Sequence, residues 1–301
     1  MKAEKINGIR SFHGIIPPIL TPFDKDGNVY EKGCRNIVDF QLPHVDGFYI
    51  CGSYGSGPLM TVDERKKVLE IMAEQTNGKA AVIAHVGSIN TQETVELAKH
   101  AEAIGADAVG VVPPYYYSYS ETNLIIHYRA ILDAVQIPVY AYDNPKLSNN
   151  EVSASLLDKL SKMGIAGLKD SSFSLISLME KMYTIDKAGF NYIIGTEALL
   201  LPAFIMGAQA CISGLANALP EIMHALNAAY LKGDYEKARK LQLRVNKARS
   251  ILHWAPTIMS IHAILDYRGI DAGCPRAPYY RLEKPRAQQI IQELINLGEL
   301  S

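Results

Sequence analysis

The stretch AAVIAHVGSINTQETVELAKHAEAIGADAVGVVPP, Ala80 to Pro114, decides the fold. It holds two nearly continuous apolar runs, AAVIAHVG and ADAVGVVPP, in place of strict apolar–polar alternation. Unbroken apolar runs are what parallel strands carry when both of their faces are covered. Between them, NTQETVELAKHAEAIG opens with Asn90 three residues before Glu93, a helix-start spacing, and closes on Gly105. The stretch reads strand, helix, strand, without a linker.

The same alternation extends in both directions. Further strand candidates are GIIPPIL, GFYICGS, IPVYAYDNP, IAGLKDSS, NYIIGTE and ACISGLAN. Helical patterns lie between them. TVDERKKVLEIMAEQ places Thr61 and Glu64 at capping-box spacing and repeats apolar residues at Val68, Ile71 and Met72. ETNLIIHYRAILDAV and EVSASLLDKLSKMG continue the pattern. About eight strand–helix repeats predict an α/β fold, a closed parallel (β/α)8 TIM barrel. An open doubly wound sheet is disfavoured, because no GxGxxG opens the first helix and the alternation runs past the usual strand number.

After ISGLAN the strand signal stops. YEKARKLQLRVNKARSILHW, PTIMSIHAILDY and PRAQQIIQELINLG predict three further helices. The expected organisation is a barrel over residues 1–225 and a C-terminal three-helix extension over 226–301. The extension should pack on the barrel as one structural unit, since no Gly/Ser/Pro linker separates them.

The chain has 301 residues, a formal net charge of −1 and 48% apolar residues, which suits a sizeable core. With neither a basic stripe nor an acidic tail, nucleic acid and anionic membranes are not expected partners. Cys34, Cys51, Cys211 and Cys274 are scattered without CxxC or Cys/His ligand spacing, as expected of reduced thiols in a cytoplasmic protein. The histidines show no HxH or HExxH spacing, so no metal is expected and His85 reads as structural. The apolar stretch near the start is short and broken by Pro17 and Pro18, which argues against a signal peptide. No run is long enough to span a membrane.

In a parallel barrel the active site lies at the carboxyl ends of the strands. Lys169 ends the sixth strand, Tyr142 the fifth, and Ser53 and Tyr54 the second, while Tyr115 and Tyr116 follow the fourth. A strand-end lysine taken alone is either a snorkelling surface charge or a working amine. A free lysine has a pKa of roughly 10.4, so few are neutral at pH 7. A fall to about 7 through burial would leave half neutral, at a cost near ~4.6 kcal/mol. Such an amine attacks a ketone, and the protonated imine that results is an electron sink. That is class I aldolase chemistry. A neighbouring phenol can shuttle the protons, which points to Tyr142. The Gly52–Gly57 turn offers free N–H groups and the Ser53 hydroxyl as a nest for a carboxylate. Taken singly, Tyr142 also fits a core tyrosine, Tyr115–Tyr117 a barrel rim or subunit interface, and GSYGSG an ordinary turn.

Together these residues resemble the dihydrodipicolinate synthase / N-acetylneuraminate lyase family of pyruvate-dependent class I aldolases. The similarity runs from GIIPPILTPFDKDGNV through CPRAPYY. The resemblance implies a Schiff-base lysine in GLKDSS (Lys169), a catalytic tyrosine in YDNP (Tyr142) and a carboxylate-binding turn in CGSYGSG (Ser53 and Tyr54). It implies that Tyr116 of PPYYYSYS completes a proton relay from a neighbouring subunit, in a homotetramer built as a dimer of dimers. No cofactor is implied.

Within the family, Leu147 stands where the synthases resemble one another in an arginine, and this chain is more similar to the lyase branch. Tyr54 replaces a smaller hydroxyl residue, Ser56 replaces a glutamate, and Ala198 follows Glu197 where sialic acid lyases carry a second acid. GSGP resembles the turn of 2-keto-3-deoxygluconate aldolases. The expected activity is reversible cleavage of a 2-keto acid, a 3-deoxy sugar acid, into pyruvate and an aldehyde. Ser171, Glu197 and Ser213 are candidates for binding substrate hydroxyls. The alternatives are condensation of pyruvate with aspartate semialdehyde, a pyridoxal-phosphate barrel, for which no phosphate cradle is identified, and a non-catalytic keto-acid-binding barrel.

Overall fold

Both strands of the opening stretch form, and the alternation around them nearly closes into a barrel. The computed structural model describes residues 4–6, 9–185 and 187–301. Its parallel strands are β1 (Gly14–Ile16), β2 (Gly47–Ile50), β3 (Ala81–His85), β4 (Ala108–Val111), β5 (Val139–Asp143), β6 (Gly167–Asp170), β7 (Asn191–Ile194) and β8 (Ala210–Ile212). They stand in the order β1-β8-β7-β6-β5-β4-β3-β2. A short antiparallel hairpin, Glu4–Ile6 with Ile9–Ser11, precedes them.

The seam lies between β1 and β2. There the Asp46 N–H donates to the Ile15 carbonyl at 2.8 Å, and the Tyr49 N–H donates to the Pro17 carbonyl at 3.0 Å. The Asp46 carboxylate accepts the Ile15 N–H at 2.8 Å. GIIPPIL yields only a three-residue strand, because Pro17 and Pro18 have no N–H to offer a ladder.

Each strand is followed by a helix: α1 (Glu31–Gln41), α2 (Val62–Thr76), α3 (Thr91–Ala103), α4 (Glu121–Leu132), α5 (Ala154–Met163), α6 (Leu175–Thr184), α7 (Leu200–Ile205) and α8 (Pro220–Leu231). The predicted starts are present. Thr61 and Glu64 make a reciprocal capping box on α2, and Asn90 accepts the Glu93 N–H at 2.9 Å on α3.

Successive side chains point to opposite faces of a strand. Outward residues pack against the helices, while Ile16, Tyr49, Ile83, Tyr140, Tyr142, Ile193 and Ile212 belong to a second buried cluster that fills the barrel. Two of its tyrosines stand over glycines. A Cβ at Gly110 would sit 2.5 Å from the Tyr49 hydroxyl oxygen, and one at Gly167 would sit 2.4 Å from the Tyr140 ring. Only glycine leaves room for these rings.

Three more helices, α9 (Tyr235–Leu252), α10 (Thr257–Tyr267) and α11 (Lys284–Asn296), form the C-terminal extension. Buried Gln242 of α9 accepts the Leu201 N–H at 2.8 Å and donates to the Glu197 carbonyl at 2.9 Å, tying the extension to the segment after β7. Arg276 donates to the Leu59 carbonyl at 2.9 Å and pairs with Glu64. All four cysteines are free. Burial pushes Cys34 up to about 12 and Cys51 up to about 11, so both remain unreactive thiols. Among the described residues no helix is long and apolar enough to cross a membrane.

Candidate active site

Strands β5 and β6 pair in parallel with Tyr142 opposite Lys169. Being register partners, both side chains face the barrel mouth. Lys169 is 4% exposed, and its Nζ lies 3.7 Å from the Tyr142 ring centroid and 4.2 Å from that of Tyr49 on β2. The amine therefore has aromatic faces around it and little water. Burial pushes Lys169 below the ordinary lysine value, against an opposing pull from the Tyr142 phenol.

Tyr142 is held in turn. Burial alone would raise its phenol, but the Lys169 ammonium and the hydrogen bonds with Asn144 and Ser53 together outweigh this. The phenol lies below its usual range as a result. The Asn144 amide donates to the phenol oxygen at 2.8 Å. His85 and Tyr49 each present a ring to Tyr142 in T-shaped geometry, at 5.8 and 6.1 Å. A proton can pass between an amine made more acidic than usual and a phenol made more acidic than usual.

The turn after β2 bends sharply, with left-handed φ angles of 60° at Cys51 and 55° at Ser56. The Gly57 N–H donates back to the Gly52 carbonyl at 3.1 Å, and the Thr21 hydroxyl donates to the Gly55 carbonyl at 2.6 Å. Among the described residues the N–H groups of Ser53 and Tyr54 have no protein acceptor, so they are available to an anion. The Tyr54 ring covers Gly214, where a Cβ would lie 2.5 Å from it, and its hydroxyl bonds with Thr257 of α10. Burial raises this phenol, which therefore stays neutral.

These groups line a cavity of about 350 Å³ that includes Ser53, Tyr54, Tyr142, Lys169, Ser171 and Glu197. A larger hollow, about 470 Å³, opens at the opposite end of the barrel around His13, Asp46 and His224. Among the described residues its lining offers no lysine or cysteine beside a proton shuttle, which leaves the smaller cavity as the candidate site. Among the described residues no cluster of histidine, cysteine or carboxylate side chains could hold a metal ion.

Not every expected residue reaches this cavity. Ser213 is fully buried outside the lining, and its hydroxyl donates to Glu197 at 3.1 Å. Tyr116 is 76% exposed, with φ at 85°, and its ring meets Tyr117 edge-on, outside the lining of the cavity. His85 is a neutral structural imidazole. Burial, then Arg65 and Lys169, hold it well below the ordinary histidine value, and its Nδ1 lies 3.1 Å from the Cys51 carbonyl.

Sequence reasoning missed four participants. Asn144 lay inside the quoted YDNP, two residues from Tyr142 and one past the end of β5, close enough in sequence to have been considered. Tyr49 is indistinguishable from core in GFYI. Arg249 and Thr257 come from the extension, and Arg249 Nε meets Glu197 at 3.2 Å inside the lining. Nothing in the helical pattern of α9 marks that one arginine among several.

Comparisons with known proteins address the chain as a whole. The dihydrodipicolinate synthetase family model matches residues 11–296. An uncharacterized DapA-like lyase of Halobacterium salinarum is 35% identical, over 96% of this chain and 95% of that protein. The N-acetylneuraminate lyase of Rhizobium meliloti is 31% identical, over 90% of each chain. Among solved structures, YagE of Escherichia coli K12, in complex with pyruvate, superposes with a TM-score of 0.91 at 28% identity, covering 96% of this chain and 99% of that one. A match across the barrel and most of its extension, with relatives above 30% identity, settles the family: the chain belongs to the dihydrodipicolinate synthetase family, whose members are aldolase-type lyases and synthases.

Proposed function

We propose that the protein is a Schiff-base lyase that reversibly cleaves a 2-keto acid, a 3-deoxy sugar acid, into pyruvate and an aldehyde. The observation that carries this reading is the Lys169 amine, buried and lowered below the ordinary value, with Tyr142 beside it on the floor of a cavity. The neutral amine attacks C2 of the keto acid, and loss of water gives a protonated imine. Tyr142 takes the proton of the C4 hydroxyl as the C3–C4 bond breaks, the electron pair flowing into the iminium. The aldehyde departs, C3 of the enamine is protonated, and water releases pyruvate.

In this reading Ser53 relays protons to Tyr142 and, with the Tyr54 N–H, holds the keto-acid carboxylate. Ser171 and Glu197 face the aldehyde half, with Ser213 orienting Glu197. Tyr116 would complete the relay in a neighbouring copy of a cytoplasmic homotetramer arranged as a dimer of dimers. Its exposure supports that placement.

Arg249 favours a second reading. Its Nε is committed to Glu197, while among the described residues its two terminal nitrogens have no protein acceptor. A planar fork of this kind suits a carboxylate. The aldehyde would then carry an acid, as aspartate semialdehyde does, with Arg249 serving where Leu147 cannot.

The test is borohydride trapping with pyruvate, read by peptide mass mapping, with Lys169→Ala as the control. A reduced adduct on Lys169 supports imine chemistry. Adding neutral sugar aldehydes and aspartate semialdehyde in parallel then separates the two readings by which one consumes pyruvate. A folded protein at saturating pyruvate that yields no adduct would sink both.

A further inference from the structure

The residues that follow the two catalytic candidates also pair, on the other side of the same strands. Asp143 succeeds Tyr142, Asp170 succeeds Lys169, and the register sets Asp143 opposite Asp170. Alternation sends this second pair outward, away from the cavity and toward the helices. Lys181 of α6 reaches between them. Its Nζ lies 2.5 Å from Asp143 Oδ2 and 2.7 Å from Asp170 Oδ2.

All three side chains are buried to 1% exposure or less. The remaining carboxylate oxygens are also engaged. Asp143 Oδ1 accepts the Val152 N–H at 3.0 Å, while Asp170 Oδ1 accepts the Ser172 N–H at 2.9 Å and the Ser172 hydroxyl at 2.6 Å. Burial would lower the Lys181 amine, but the two aspartates outweigh it and hold it charged. A buried ion cluster is weak evidence for stability, since desolvation can exceed the attraction. Its value must therefore be sought in what it fixes, and what it fixes is the relative height of two strand ends.

We propose that Lys181, Asp143 and Asp170 are positioning residues that clamp the carboxyl ends of β5 and β6 and so hold the Lys169 amine against the Tyr142 phenol for imine formation. The inference rests on the Schiff-base reading. A sheet ladder alone tolerates small shifts between strand ends. A buried ammonium hydrogen-bonded to two adjacent strands resists them. A misplacement of about 1 Å at a reacting pair can cost on the order of 10²-fold in rate.

The test uses the full chain and pyruvate alone. Adduct formation on Lys169 is followed by rapid-quench borohydride trapping, giving a maximal rate and a half-saturating pyruvate concentration. Asp170→Asn and Asp143→Asn each leave one aspartate against Lys181, a balanced buried pair, so both should fold. The expected result is a maximal rate lower by about 10- to 100-fold with half-saturation within about threefold of the parent. The triple variant Asp143→Asn, Asp170→Asn, Lys181→Met removes every buried charge of the cluster, and should melt at or above the parent temperature while trapping as slowly as the single variants. If the folded single variants trap at the parent's rate, the clamp is overturned and the Schiff-base reading stands. If the parent itself traps nothing, that reading falls and the clamp falls with it.

Discussion

Glu197 and Arg249 meet at 3.2 Å across the cavity, joining the end of β7 to α9 of the extension. Glu197 is otherwise held by the Ser213 hydroxyl at 3.1 Å, so both its oxygens are occupied before any substrate arrives. The guanidinium of Arg249 is the less committed partner. Discrimination among aldehydes should depend on it, and binding of pyruvate should not.

Arg249→Ala is accordingly expected to leave pyruvate trapping on Lys169 within about twofold, while lowering turnover with the true aldehyde by about 10- to 100-fold, the value of one or two charge-assisted hydrogen bonds. Parallel trapping and condensation assays check this. A variant that loses pyruvate trapping as well would show that Arg249 supports the whole cavity rather than one side of it.

Tyr142→Phe should separate nucleophile from shuttle. The phenol pulls the Lys169 amine upward, so removing it lets burial push the amine further down. The amine reacts when neutral, hence trapping falls away as pH drops through its pKa. The half-rise for the parent should lie below 10.5, the ordinary lysine value, and that of the variant lower still. Turnover should nevertheless drop by about 10²- to 10⁴-fold, because no group remains to move the protons. A pH series of trapping and of turnover on both proteins tests the two halves together. Unchanged turnover in the variant would remove Tyr142 from the mechanism.

Lys169→Met should be more stable than the parent. The native state binds the lysine proton less tightly than the unfolded chain does, so burial of Lys169 costs stability at neutral pH. Methionine of similar length removes that cost, and a gain of about 1–2 kcal/mol is expected. The gain should be constant below the native pKa of Lys169 and shrink as pH climbs from there toward 10.5. Urea midpoints at pH 7 and 9.5 measure it. A destabilised variant would mean that contacts of the amine with the Tyr49 and Tyr142 rings outweigh its desolvation.

Glu64 carries the opposite sign. Its hydrogen bond to Arg276, with the capping bonds to Thr61, holds the carboxyl down at about 2. The contribution is fully present above the unfolded value of 4.5 and disappears as pH falls through about 2. Glu64→Gln should cost about 1–2 kcal/mol at pH 7 and progressively less toward pH 2. Urea unfolding at pH 7 and pH 3 checks the trend. An equal loss at both would point to the capping geometry rather than the charge.

The barrel was legible because parallel strands write themselves as apolar runs and helices announce their starts, as Thr61 and Asn90 do. GIIPPIL was over-read as a long strand, since apolarity does not register that prolines lack a donor. Lys169 and Tyr142 stood out because lysine is rarely buried and because both lie one residue from the carboxyl end of a strand. Tyr49 did not, although its ring touches the amine, because a tyrosine inside an apolar strand has the same signature whether it packs or positions. Arg249 and Thr257 were hidden for another reason. Their approach to the cavity depends on how α9 and α10 lie across the barrel, which no local pattern encodes. The clamp was in plain view as the aspartates of YD and KD, yet Lys181, one lysine on an otherwise amphipathic helix, joins them only through the fold.

The cavity draws its lining from Pro18 at one end of the sequence to Tyr279 at the other. During synthesis the chain emerges amino end first. The carboxylate turn, the phenol and the amine leave the ribosome in that order, and the wall carrying Arg249, His253 and Thr257 follows only afterward. On the proposed reading, a nascent chain thus acquires its nucleophile before it acquires its choice of aldehyde, and selectivity is the last property to be translated.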